Sequence, residues 1–339
     1  MPLQIQSILA GDCAASVFGN TPLMIVHLAT KRGIKAVTKH LGYRPALNKR
    51  VRAITYEGVL QRSEWPRGVY LFTDAERMTT AQKGYAAWLH DRMSDRPDAF
   101  KLLNHPTKHV ARYKLLKQLC SEGRNGFDVH RANGLGTHVR YPLFLRYEDR
   151  HIGSLTPLLH TPLQTDEWLA RLAAMGEDLD RVIAVEFIDT ADHENLYRKY
   201  GAFRVGDKIV PRHMFASTHW EVKIDTNNRS AFRRREEYAY LRENPHQEQV
   251  MQAFESAGLQ YGRIDYAMKD GRIQVWEVND NPQISSSLVR YWRGRLGRCL
   301  LCLRNLDHAF SLVEAQVEAG PPVRFDATEH CVWEALCAQ

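Results

Sequence analysis

The chain has 339 residues, of which 44% are hydrophobic and 25% charged, a globular balance in a length that calls for two or three subdomains rather than one small core. No apolar run approaches the ~20 residues that span a bilayer, and the opening MPLQIQSILAGDCAASVFGN lacks the early basic residues of a secretion signal, so no membrane partner and a cytoplasmic location are expected. The 46 basic residues against 39 acidic, a formal net charge of +7, suit bound anions such as nucleotides without amounting to a nucleic-acid signature.

Pro22 to His27 reads as a short apolar strand, followed by a helix-like stretch around Lys31 to Leu41 and a weakly alternating segment from Val51 to Tyr56. Gly68 to Thr73 is a strand ending at Asp74. Met78 to Met93 has helical apolar spacing through Tyr85, Trp88, Leu89 and Met93. Strands alternating with helices predict a parallel sheet, hence an α/β lead-in domain over residues 1–105. After the turn Asn104-His105-Pro106 a basic helix runs to Leu119. Tyr141 to Arg146 is a strand that opens with Pro142, and the loop after it, Tyr147 to Leu155, is poor in glycine. Thr165 to Leu172 is helical with Thr165 as its N-cap, and Arg181 to Ile188 is an apolar strand. Leu196 to Phe215 reads as a hairpin turning at Gly206-Asp207. Residues 217–245 read as an exposed loop and then a helix, and Glu248 to Ala257 as a helix ended by Gly258. Leu288 to Glu318 is largely helical, and the tail after Pro321 carries no signal.

The charge concentrates at Arg233-Arg234-Arg235 and between Arg290 and Arg298, which is expected to form solvated faces. Cysteines at 13, 120, 299, 302, 331 and 337 are expected to be reduced, and Cys299-x-x-Cys302 lacks the two further ligands that zinc needs.

The most informative stretch is YGRIDYAMKDGRIQVWEVNDNPQISSS, Tyr261 to Ser287. Asp270-Gly271 is a tight-turn signal between two strands. Arg263 and Asp265 share one face of the first strand; Glu277 and Asn279 share one face of the second. The hairpin therefore gathers Asp265, Glu277 and Asn279 at one end with Arg263 beside them. Two carboxylates and an amide oxygen form a hard, all-oxygen set suited to Mg²⁺ shared with phosphates.

These residues resemble the metal-binding end of the ATP-grasp ligases, whose pattern is an Asp on one strand and Glu-x-Asn-x-x-Pro after the next turn; the Gly-Arg-Ile-Asp wording is similar to that of D-alanine–D-alanine ligases. The resemblance covers roughly residues 100–290 and implies an α/β (α+β) protein of ATP-grasp fold, with two α+β subdomains enclosing ATP behind the small α/β lead-in domain. The implied divisions are 106–184 for one subdomain, 185–290 for the second with the metal site, and 291–339 for a helical extension. It implies ATP and Mg²⁺ (or Mn²⁺) as cofactors, the metal being held by Asp265, Glu277 and Asn279. Phosphate binders would be Arg112 and Arg146, each standing where the family has lysine, with Lys108 as an alternative to Arg112. Arg198 would point into the phosphate site, backed by Arg204 and Arg212. Glu186, Phe187 and Ile188, with Val185 before them, would form the adenine hinge, and Asp189, Asp192 or Glu194 could meet the ribose. Arg263 would steady an acylphosphate or its oxyanion. The implied activity is a carboxylate–amine ligation through an acylphosphate, on a small-molecule or peptide carboxylate and an amine acceptor, with a homodimer as one possible assembly. A phosphotransferase and a non-catalytic nucleotide-binding scaffold are the alternatives. Gln283, where many amino-acid-ligating relatives have glycine, points away from D-alanine–D-alanine ligation itself, and Gln283 to Ser287 would line the acceptor side.

Overall fold

The computed structural model describes residues 23–37, 50–59, 62–150, 152–223, 231–284 and 296–325. Among the described residues the first elements are strands β1 (Met24–Ala29), β2 (Val51–Thr55), a short β3 (Glu64–Trp65), β4 (Gly68–Phe72) and β5 (Phe100–Leu103), with helix α1 (Thr80–Ser94) before β5. Four of these strands form a parallel sheet in the order β2-β1-β4-β5, as the strand–helix alternation predicts. Every residue of β1 and β4 is buried, the pattern of strands covered on both faces. Helix α1 opens with a capping box: Thr79 Oγ1 accepts the Gln82 amide at 3.2 Å and Gln82 Oε1 accepts the Thr79 amide at 3.0 Å.

Next come α2 (Arg112–Ser121), β6 (Val129–Arg131), β7 (Leu143–Tyr147), α3 (Pro162–Ala174) and β8 (Val182–Glu186), whose strands pair antiparallel in the order β6-β8-β7. Helix α3 corrects the expected start. Its N-cap is Thr161, whose side chain accepts the Gln164 amide, and Pro162 occupies the first turn, where its missing N–H costs nothing. Thr165 lies inside the helix, buried, and donates back to the Thr161 carbonyl.

The third unit is β9 (Tyr197–Val205), β10 (Lys208–Ser217), α4 (Ala231–Glu243), α5 (Gln247–Ser256), β11 (Tyr261–Lys269) and β12 (Arg272–Asn279), an antiparallel sheet in the order β10-β9-β11-β12. The β11–β12 turn places both Asp270 (φ 50°) and Gly271 (φ 74°) in the left-handed region, the requirement that favours Asp-Gly. Helices α2 and α5 pack against this sheet through Leu115, Leu119, Val250 and Phe254 on Ile264, Val275 and Val278.

Helix α6 (Leu296–Glu314) lies between the sheets. Cys302, Leu306 and Phe310 join one core with Ile25, Val69 and Leu71 of the parallel sheet and with Phe203, Val205 and Tyr261 of the antiparallel one. Beyond it β13 (Val323–Arg324) pairs with β3, so the segment after Pro321 closes onto the lead-in domain. Cys299 and Cys302 are buried free thiols. The expectation of solvated charge is corrected at two arginines. Arg233 is buried against Glu194 and Glu236, and Arg298 is buried with Nε 2.9 Å from Glu237, because α4 and α6 turn these side chains inward. Cys13, Cys331, Cys337, Ser285 to Ser287 and Arg290 lie outside the described residues.

The Asn104-His105-Pro106 turn ties the lead-in domain to the hairpin. Asn104 sits at φ 66°, and its Oδ1 accepts the amides of Gln260 and Tyr261, both at 2.8 Å, while its Nδ2 donates to the Tyr261 carbonyl at 2.9 Å. One side chain thus fixes the start of β11, four residues before Asp265.

Candidate active site

A cleft of about 420 Å³ opens between the β6-β8-β7 sheet and the β10-β9-β11-β12 sheet. Its floor is the end of the β11–β12 hairpin. Asp265 stands directly opposite Glu277 and Arg263 directly opposite Asn279. A register shift after Asp265 leaves Trp276 as the extra residue of β12, so that Trp276 and Glu277 both border the cleft. Trp276 is braced from behind by stacking on Phe127 at 5.0 Å.

Cations converge on the two carboxylates. Arg112 Nη2 and Arg146 Nη2 donate to the same oxygen of Glu277, at 2.8 and 2.7 Å. Lys199 Nζ lies 3.4 Å from Asp265 Oδ2, and Arg263 Nε lies 3.2 Å from Asp265 Oδ1. The contact between Arg263 Nε and Asp265 Oδ1 is an ion pair without hydrogen-bond geometry, and both atoms are buried without a hydrogen-bond partner; Arg146 Nε is a third such atom. Burial and, next, the neighbouring Arg112 charge push the Arg146 guanidinium down to about 10. Arg112 is enclosed more deeply. Its Nη1 donates to the carbonyls of Tyr147 and Arg150, joining α2 to the end of β7, and it does not border the cleft.

Arg198 borders the cleft with its guanidinium divided between Asp192 and Glu236, both at 2.5 Å. Burial raises Asp192, but hydrogen bonds from Arg198 and the amides of Leu196 and Glu194 bring it down to about 2. Arg204 donates to the Gly206 carbonyl behind the sheet. Asp189 and Glu194 are occupied by Ala191 and Arg233 respectively.

The opposite wall is apolar. Phe144 and Phe187 meet Trp220, with ring centroids at 4.9 and 6.0 Å, and Ile188 lies beside them. Glu186, last residue of β8, faces away from the cleft. Its carboxylate accepts the Asp128 amide, the Arg140 amide and side chain, and pairs with His130, donors that together outweigh burial and hold it below the usual carboxylate value.

The loop after β7 closes one side. Gly153 (φ 91°) approaches so near that a Cβ would meet Glu221 Oε1 at 2.6 Å, and the Ser154 amide donates to that oxygen at 2.8 Å. The structure therefore brings Asp265, Glu277, Arg263, Arg146, Arg198, Phe187 and Ile188 to one cleft, with Asn279 in the adjacent pair, its Oδ1 accepting the Asn281 amide at 2.8 Å. Arg112 touches the cleft only through Glu277 and Glu186 supports it from outside. Lys108 and Arg212 are absent from its lining. Lys199, Phe144, Trp220 and Glu221 escaped the sequence reading. Lys199 lies on the face of β9 shared with Gly201, the residue opposite Asp265, so its signal is the β9–β11 pairing, which no local pattern contains.

No family model and no curated protein matches the chain. Solved structures similar to it include a D-alanine–D-alanine ligase from Bacillus anthracis (10% identity, 86% of this chain and 99% of that chain, TM-score 0.48). Another is an L-amino acid ligase from Bacillus licheniformis (13% identity, 89% and 76%, TM-score 0.47). A third is an ATP-grasp ligase complexed with a phosphomimetic variant of its minimal precursor, Mg and ADP (13% identity, 88% and 100%, TM-score 0.46). At these identities and scores the likeness carries no functional weight. In architecture, the chain is similar to solved ATP-grasp ligases.

Proposed function

We propose that the chain is an ATP- and Mg²⁺-dependent ligase of the ATP-grasp superfamily that joins a carboxylate to an amine through an acylphosphate. The observation that carries this reading is the opposed pair Asp265/Glu277, set beside Arg263/Asn279 at the floor of a cleft with cations on one side and aromatic rings on the other. The donor set fits a hard divalent cation: two carboxylates, one with a buried oxygen that makes no hydrogen bond, and an amide oxygen one pair further on. Bound there by Asp265, Glu277 and Asn279, Mg²⁺ (or Mn²⁺) would neutralise phosphate oxygens.

The chain's own residues supply the rest. Phe144, Phe187, Ile188 and Trp220 form an apolar slot of the kind that holds a purine and excludes water. Arg146 is poised to exchange partners, leaving Glu277 for a phosphate oxygen when the carboxylate takes a cation, and its buried Nε is a second donor for that oxygen. Arg198 and Lys199 add positive charge on the β9 side. Arg263, ion-paired with Asp265 and bordering the cleft, would steady the transferred phosphoryl or acyl charge. In the reaction a carboxylate oxygen attacks the γ-phosphorus and ADP departs; the amine nitrogen then attacks the acyl carbon, phosphate departs, and the proton lost from nitrogen passes to solvent or to the departing phosphate.

A nucleotide-binding scaffold is the second reading, favoured by Glu221's hold on the Ser154 amide, which a phosphate would otherwise receive. Incubation with ATP, Mg²⁺, carboxylate pools and hydroxylamine separates the readings. Hydroxamate formed together with ADP supports the ligase. ADP released without hydroxamate supports a phosphotransferase, and no turnover despite nucleotide binding supports the scaffold.

A further inference from the structure

A second polar cluster lies away from the cleft, where α1 meets the turn after β5. His90 Nδ1 and His105 Nε2 each lie 3.4 Å from the same oxygen of Asp91, and the three residues can offer one ligand atom each, all within 4.8 Å of one another. The two imidazole rings pack edge to face with centroids 4.4 Å apart. We propose that His90, Asp91 and His105 bind a divalent transition-metal ion of the Zn²⁺ or Co²⁺ class.

The distances suit a coordination site. At 3.4 Å both contacts are long hydrogen bonds, beyond the ~2.7–3.2 Å of the usual range, and are readily exchanged for an ion. Ligand atoms at about 2.0–2.1 Å on a tetrahedral ion are separated by roughly 3.4 Å, so two edges of the tetrahedron are already set. The donor set of two imidazoles and a carboxylate suits zinc or cobalt and leaves a fourth position for water.

The surroundings also suit an ion. The nearby Lys108 ammonium repels a cation, which the Asp91 carboxylate offsets. While His105 Nε2 carries the proton, Nδ1 accepts the Thr107 amide at 3.3 Å. When Nε2 gives its lone pair to an ion, the proton sits on Nδ1 and is donated to Thr107 Oγ1 at 3.0 Å. Both imidazoles are 18% exposed in their side chains and Asp91 is 70% exposed, so the ion would sit at the surface with its ligands rooted in the fold.

The location gives the ion a structural task. His105 follows Asn104, the residue that clasps the start of β11. An ion joining His105 to α1 would pin that turn to the lead-in domain, stabilising the chain by mass action.

The test is titration of the full, chelator-treated chain with ZnCl₂ by calorimetry and with CoCl₂ by visible absorption. The expected result is one Zn²⁺ per chain at micromolar affinity or tighter and a raised unfolding temperature. The tetrahedral Co²⁺ spectrum should lack the near-ultraviolet thiolate band that cysteine ligation would add. Asp91→Asn, an exposed change that leaves packing intact, should weaken binding about tenfold or more, and His105→Asn should abolish it. No Zn²⁺ binding in the micromolar range, a thiolate band, or unchanged affinity in both variants would overturn the proposal.

Discussion

Glu277→Ala removes the carboxylate on which two guanidiniums converge. Arg112 and Arg146 are 2% and 10% exposed in their side chains, and Glu277 is 12% exposed. Removing one partner of a buried ion pair typically costs ~3–5 kcal/mol, because the remaining charge is left desolvated. Two effects reduce that here. Arg112 keeps its bonds to the Tyr147 and Arg150 carbonyls, and Arg146 borders the cleft and can draw in water. The expected loss is therefore about 2–4 kcal/mol. Glu277→Gln, which keeps an acceptor oxygen but no charge, should lose less. Adding Arg146→Met to Glu277→Ala removes one uncompensated charge and should recover at least about 1 kcal/mol, a coupling expected of residues in direct contact. Urea denaturation without nucleotide or divalent cation measures all three. A loss under about 1 kcal/mol for Glu277→Ala, or no recovery in the double variant, would refute the view that this carboxylate holds the arginines in place.

Asn104→Ala would leave two amides and a carbonyl without their partner and place alanine at φ 66°, so it should cost about 3 kcal/mol or more in thermal or urea unfolding. Asn104→Gly, free of the backbone strain, should cost about 1 kcal/mol less. Burial lowers the His27 pKa to about 3, so the imidazole is neutral in the fold while the unfolded chain protonates below its ordinary value. The stability linked to His27 is thus present above about pH 6.5 and lost as the pH falls, by roughly 2.5 kcal/mol between pH 6 and 4. His27→Asn should flatten that slope in urea melts at a series of pH values; an equally steep slope would show that His27 does not set it. Trp220→Ala, which opens the aromatic slot, should weaken binding of an ATP analogue about tenfold in a fluorescence or calorimetric titration.

The hairpin was legible in the sequence because its signals are local. Asp270-Gly271 dictates the turn, and two-residue spacing places Glu277 with Asn279 on one face. The parallel sheet followed from strand–helix alternation, and the β9–β10 hairpin from Gly206-Asp207. What escaped depends on contacts distant in sequence. Arg112 and Arg146 meet Glu277 across 165 and 131 residues, and the bulge at Trp276 emerges only when β12 registers on β11. Trp220 lay in a stretch that composition marked as an exposed polar loop, yet its ring packs on Phe144. Arg233 and Arg298 read as solvated because charge runs are usually solvated; the acids that hold them, half-buried Glu236 and buried Glu237, belong to a helix whose inward side propensity alone does not reveal. For Thr161, the cap was one turn earlier than the apolar spacing suggested, since Pro162 belongs to the first turn of the helix rather than to the loop.

The cleft's central assignment is tested most directly by calorimetric titration of a non-hydrolysable ATP analogue into the wild type and Asp265→Asn, each with and without Mg²⁺. Asp265 makes ion pairs but no well-formed hydrogen bond with Arg263, so the variant should fold normally. The expected result is binding to the wild type that strengthens with Mg²⁺, and loss of that strengthening in Asp265→Asn. Absence of binding to the wild type at millimolar analogue, or an equal Mg²⁺ effect in both proteins, would contradict a nucleotide–metal site at the end of the β11–β12 hairpin.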